Sequence, residues 1–146
     1  MKAFEFRLQR VLEWRRVQLE LEENRLQRQL AALAELDRAR AGLEAAAIGA
    51  ELQVRAWSSL SGRDLAALSG FRRHVQNEER TLAARRANSQ REMDAQETAM
   101  LEARRRCRLL ERLRERQWAE WQAAGDREME QFATESYLAG IIRRRR

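Results

Sequence analysis

No proline interrupts any of the 146 residues. In such a chain a helix stops only at glycine, at polar turn residues or where tertiary contacts end it. The rest of the composition pushes the same way, because Ala, Arg, Glu, Gln and Leu are abundant and lose least on entering a helix. One stretch stands against this background: Trp57-Ser58-Ser59-Leu60-Ser61-Gly62. Three serines and a glycine in five residues are turn chemistry. Ser61 is then placed to cap a new helix, accepting from the backbone N–H of Asp64, whose carboxylate suits a helix N-terminus. The expected fold is all-α: an antiparallel two-helix coiled-coil hairpin whose second helix is the longer. The expected boundaries are helix one at about 4–57, a turn at about 58–62, helix two at about 63–136, and a basic tail at 137–146, all in a single domain.

Heptad spacing supports the hairpin. Leu12, Leu19, Leu26, Leu33, Arg40, Ala47 and Val54 fall seven apart, and so do Leu8, Arg15, Glu22, Gln29, Leu36, Leu43, Ala50 and Trp57. The first row is nearly all apolar, whereas the second is polar in its middle, so one ridge of the seam is strong and the other imperfect. In helix two the rows are Leu68, Val75, Leu82, Ser89, Gln96, Ala103, Leu110 and Leu65, Arg72, Glu79, Arg86, Met93, Met100, Cys107. They are weakest between Arg85 and Gln90. Ser69-Gly70 offers a second break, which would make 63–68 a short separate turn of helix at the tip. A turn near residue 60 sets Leu12 near Cys107 and Leu110, Leu26 near Met93 and Gln96, and Phe4 near Trp118.

At about 1.5 Å per residue the two helices would be roughly 80 Å and 105 Å long. Beyond about Gln122 helix two therefore has no partner in its own chain. Trp118, Trp121, Met129 and Phe132 continue one face there, and Tyr137, Leu138, Ile141 and Ile142 follow before Arg143-Arg144-Arg145-Arg146. Each large apolar side chain contributes roughly 1.5–3 kcal/mol when buried, so so much apolar surface at a helix end points to docking on a partner. The alternative is that Gly125 or Gly140 lets the tail fold back on its own coil.

The residues offer no catalytic, cofactor or metal chemistry. His74 is the lone histidine and has no second His or Cys near it. Cys107 sits at a seam position, where a small hydrophobe is expected. There is no glycine-rich phosphate loop, Gly42 and Gly49 read as tolerated surface glycines, and the carboxylates lie among arginines at ion-pair spacing. The net charge is +6, and of 29 basic residues only Lys2 is lysine. Arg binds carboxylate and phosphate in a bidentate way, but a GC-rich genome supplies Arg codons too, and both explanations stay open. The positive charge reads as spread among acids, without the interleaved aromatics of a single-strand platform, so no nucleic-acid partner is expected. Neither a signal-peptide pattern nor an 18-residue apolar run is found. A cytoplasmic protein is the expectation.

The opening, Phe4-Glu5-Phe6-Arg7-Leu8-Gln9-Arg10-Val11-Leu12-Glu13-Trp14-Arg15-Arg16, resembles that of the FliJ family of flagellar export proteins, which begin Phe-x-Phe-x-Leu-x-x-Val-Leu. Ser61-x-x-Asp64-Leu65 with Phe71 and Val75 resembles the family's second-helix start. Leu110-Glu111-Arg112-Leu113-Arg114-Glu115-Arg116 resembles its late Leu-Glu-x-Leu segment. The resemblance implies a non-enzymatic antiparallel coil, similar to the central shaft of rotary ATPases. Such a coil binds the export ATPase hexamer of the flagellar type III secretion system, contacts the membrane export gate and escorts export chaperones. By that analogy the ends of the chain, around Phe4, Trp118, Trp121 and Phe132, would meet the ATPase, and the tip, around Leu65, Phe71 and Val75, would be available to the gate; Met129, Arg143 and Arg144 are further candidate partner-binding residues. The chain would then be peripheral to the inner membrane through its partners. The competing readings are a generic coiled-coil scaffold or adaptor, and a basic hairpin that binds RNA.

Overall fold

The computed structural model describes residues 2–144. Arg145 and Arg146, the end of the expected basic tail, lie outside the described residues. Two helices, α1 (Gln9–Arg55) and α2 (Gly62–Arg144), make up the hairpin, and no strand occurs among the described residues. α2 is the longer, 83 residues against 47.

The turn forms where the serines predict it. α1 ends at Arg55, and its last N–H bonds close at Ala56 and Trp57. Ser61 and Asp64 then cap α2 reciprocally. The Asp64 N–H donates to Ser61 Oγ at 3.2 Å, while the Ser61 N–H and hydroxyl donate to Asp64 Oδ2 at 2.9 and 2.6 Å. Two otherwise orphaned donors at the helix start are thereby satisfied. Trp57, which the heptad placed at the end of the seam, lies past the helix and is exposed. Ser69-Gly70 does not interrupt α2. A helical bond network already nucleated on both sides carries one glycine at a cost of only about 1 kcal/mol.

Contacts gather into two units, Met1–Leu19 with Glu102–Arg146, and Glu20–Leu101. In the second of these the seam is thin and its polar positions are tied across. Leu26, Leu33, Leu36 and Leu43 are half-buried, as are Leu68, Leu82 and Met93, while Val75 and Met100 are buried. Arg72 pairs with Glu51 at 3.2 Å and Arg86 with Asp37 at 2.7 Å. The hydrogen bond to Asp37, and then its charge, hold the Arg86 guanidinium more firmly protonated than usual. Gln96 donates to the carboxylate and the carbonyl oxygen of Glu22. That is one helical turn before Leu26, the neighbour its heptad position predicts. The expected weak point is visible at Ser89, which is buried with no partner for its hydroxyl.

The other unit holds a cluster of buried apolar side chains. Phe6, Leu12 and Cys107 form its centre, with Leu12 fully buried, and Phe4, Leu19, Leu110 and Leu113 close around them. Here the structure corrects the expected start of helix one. Residues 2–6 are not helical, 7–8 form a turn, and α1 begins at Gln9. Outside a helix a chain can advance up to about 3.3 Å per residue against about 1.5 Å in a helix, so a few non-helical residues can reach further along α2. They also insert Phe6 beside Leu12, which a helical continuation would not. The tail is corrected too: α2 runs on to Arg144 through Gly140, where a separate basic tail from 137 is expected, and it does not fold back. Arg143 and Arg144 sit in its last turn, where cations suit the helix dipole.

Candidate partner interface

The residues singled out from the sequence fall in both units. Phe4, Trp118, Trp121, Met129, Phe132, Arg143 and Arg144 belong to the unit that carries the described N-terminal segment, and Leu65, Phe71 and Val75 to the other.

The N-terminal segment acts as a strap across α2. Phe4 meets the edge of Trp118 at 5.2 Å between ring centroids and an interplanar angle of 86°, and Trp121 at 6.0 Å. Trp118 and Trp121, one turn apart, stack at 5.0 Å. Offset and edge-to-face pairs of this kind contribute about 0.5–1.5 kcal/mol each beyond their buried area. Trp121 Nε1–H also donates to the carbonyl oxygen of Lys2 at 3.1 Å. Next to this cluster, Arg16 donates through Nε and Nη2 to Glu111 Oε1, at 3.2 and 3.1 Å. Cys107 lies one turn before Glu111, with its thiol 3.8 Å from the same oxygen. Burial, and then the Glu111 charge, push the Cys107 thiol above its ordinary pKa, while Arg16 opposes them. Cys107 is therefore a protonated packing group at neutral pH, not an activated nucleophile.

Past the strap, α2 presents apolar surface to solvent. Met129 is 72% exposed, Phe132 70% and Tyr137 72%, and Leu138 and Ile142 are exposed as well. Trp121, Gly125, Met129 and Phe132 line a shallow groove whose rim carries Asp126 and Glu128. Met129 and Phe132 continue the seam face of α2, but no segment of the described chain covers them.

No protein-family model, characterised protein or solved structure matches this chain.

In the other unit the expected gate-facing set divides. Leu65 is exposed, Phe71 is half-buried, and Val75 is buried, 7% exposed. The seam takes Val75, so it is not available to a partner, and Leu65 is the accessible apolar residue of the three.

Charge also departs from expectation. By the sequence, the unit of Met1–Leu19 with Glu102–Arg146 carries 17 basic and 10 acidic residues, whereas Glu20–Leu101 carries 12 and 13. The excess positive charge is concentrated in one unit, not spread evenly. Residues 2–6 and their aromatic anchors are the feature that heptad reasoning missed. The alternation of Phe4 and Phe6 with Glu5 and Arg7 was the available signal, because a period of two marks an extended segment. Among the described residues no helix is long and apolar enough to cross a membrane.

Proposed function

We propose that this chain is a non-enzymatic component of the flagellar type III protein export apparatus. It would act as a stalk-like factor that binds the export ATPase ring and couples it to the export gate and chaperones. The observation that carries the reading is the exposed extension of α2, with Met129 and Phe132 solvated on the face that elsewhere packs in the seam. A helix that inserts into a ring needs such an extension, since its apolar face gains its burial only in the complex. The reciprocal Ser61–Asp64 cap and the Phe-x-Phe opening support it through the resemblance, because both lie at the motifs that carry it. Bound in the ring, the extension would favour ring assembly and ATP turnover, and exposed Leu65 would be free for the gate. The protein would be cytoplasmic and would reach the inner membrane through these partners.

The test uses the purified flagellar export ATPase of the same host, with the intact chain and a Met129→Ser, Phe132→Ser variant. Stimulation of ATP hydrolysis by the intact chain, and its loss in the variant, supports the reading. Equal behaviour of the two proteins, or no capture of the ATPase by either, overturns it in favour of a scaffold.

A further inference from the structure

The last two described turns of α2 carry a second apolar surface, separate from the seam face. Tyr137 and Ile141 are four residues apart, as are Leu138 and Ile142, so the four lie side by side. At 100° per residue they fall on roughly the opposite side of the helix from Met129 and Phe132. They therefore cannot be one stripe for a single helical partner. Tyr137 is 72% exposed, Ile142 63% and Leu138 52%. Arg143 and Arg144 follow directly, exposed, and the sequence continues with Arg145 and Arg146. The acidic residues nearest in sequence, Glu130 and Glu135, precede the patch, so its far side is purely basic. The unit that contains it is the one that holds the excess positive charge.

We infer that this end of α2 binds the surface of an anionic lipid bilayer, with Tyr137, Leu138, Ile141 and Ile142 inserted at the headgroup boundary and Arg143 and Arg144 on the headgroup phosphates. Bulky aliphatic residues and a tyrosine beside a basic cluster are what an interfacial helix uses. Charge complementarity selects this occupant. A neutral apolar groove would leave Arg143 and Arg144 unpaired, and a nucleic acid would leave the exposed Leu138 and Ile142 without a role. The contact is short, so the affinity is that of a single weak anchor, on the order of 100 μM in accessible lipid. The inference does not rest on the export reading, since its residues differ from Met129 and Phe132 and its test contains no ATPase.

The experiment is co-sedimentation of the intact protein with vesicles of one part phosphatidylglycerol to two parts phosphatidylcholine, and with pure phosphatidylcholine. Two variants run beside it, Arg143→Gln with Arg144→Gln, and Leu138→Ser with Ile142→Ser. All four side chains are exposed, and circular dichroism checks that helicity is unchanged. Expected are binding to the anionic vesicles only, a loss of roughly 25-fold in the arginine variant (about five-fold per Arg), and about tenfold or more in the serine variant. Three results overturn the inference. One is no binding to anionic vesicles, and another is equal binding to both lipid compositions. The third is an unchanged serine variant with equally tight retention of a single-stranded RNA, which would make the basic cluster a general polyanion site.

Discussion

Trp121 holds Lys2 by a 3.1 Å hydrogen bond from the indole N–H to the backbone carbonyl oxygen, across 119 residues of sequence. This bond, with Phe4 set against both Trp118 and Trp121, fixes the non-helical N-terminal strap on α2. Trp121→Phe keeps a ring but removes the donor, and is expected to weaken the strap by about 1 kcal/mol. Phe4→Ala removes the aromatic contacts and part of the buried area, and is expected to weaken it by about 2–3 kcal/mol. Limited trypsin digestion reads the effect as faster cleavage after Arg7 in that order of variants. Equal cleavage of all three proteins would mean that the strap is held elsewhere.

The extension of α2 should tolerate change without loss of stability. Met129 and Phe132 are exposed, so Met129→Ser and Phe132→Ser are each expected to shift the unfolding free energy by less than about 0.5 kcal/mol. Urea denaturation checks this. A larger shift would show that the two residues are buried within the free protein.

Removing the polar flaw of the seam should strengthen it. Ser89 buries a hydroxyl with no partner, and a buried unsatisfied group costs about 1–3 kcal/mol. Ser89→Ala also improves helix propensity. A gain of about 1 kcal/mol is expected, read as a higher urea midpoint with unchanged slope. A destabilised variant would mean that the hydroxyl is satisfied in solution.

The cap on α2 should be acid-sensitive. The hydrogen bonds from the Ser61 hydroxyl and backbone N–H hold the Asp64 carboxyl below its ordinary pKa. A folded pKa below the unfolded one gives stability that is complete above the unfolded value, near pH 4, and is lost as pH falls through the folded value. Ser61→Ala is expected to cost about 1 kcal/mol at neutral pH. Its difference from the parent should shrink on acidification below about pH 4, followed by thermal melting across pH. A difference that does not change with pH would show that the carboxylate plays no part in the cap.

Cys107 should behave as a buried thiol. Its pKa is raised by burial first, so the unfolded thiol ionises before the folded one. The stability this confers is complete below the unfolded pKa, near 8.5, and falls as pH rises through the folded value. A disulfide reagent at pH 8 is expected to label Cys107 only as fast as the unit opens locally, and at full speed in denaturant. Rapid labelling of the native protein would show that the Leu12–Cys107 cluster is open.

Most of the hairpin could be read from the heptads, because a seam repeats and the repeat survives imperfect positions. Leu12, Leu19, Leu110 and Cys107 stand in one cluster as their spacing predicts. Phe4 lies against Trp118 as a turn near residue 60 predicts, but it reaches that ring from the non-helical segment of residues 2–6 and not along a helix. The interface was less legible. Val75 lies on a seam row and also in a motif that resembles a partner surface, and only packing decided that the seam takes it. Exposure depends on the neighbour across the seam, which spacing along one helix does not reveal.

The sequence by itself determined the helices, the turn and its cap, and the mismatch in helix length. These follow from local propensity, from the absence of proline and from the Ser61–Asp64 spacing, all of which act over a few residues. Only the tertiary structure decided that residues 2–6 leave the helix. It likewise settled that Phe6 enters the core and that Gln96 meets Glu22 one turn before Leu26. Those outcomes rest on contacts between residues more than 70 positions apart. There the burial of one aromatic ring and a few side-chain hydrogen bonds outweigh the small helical preference of a short terminal segment.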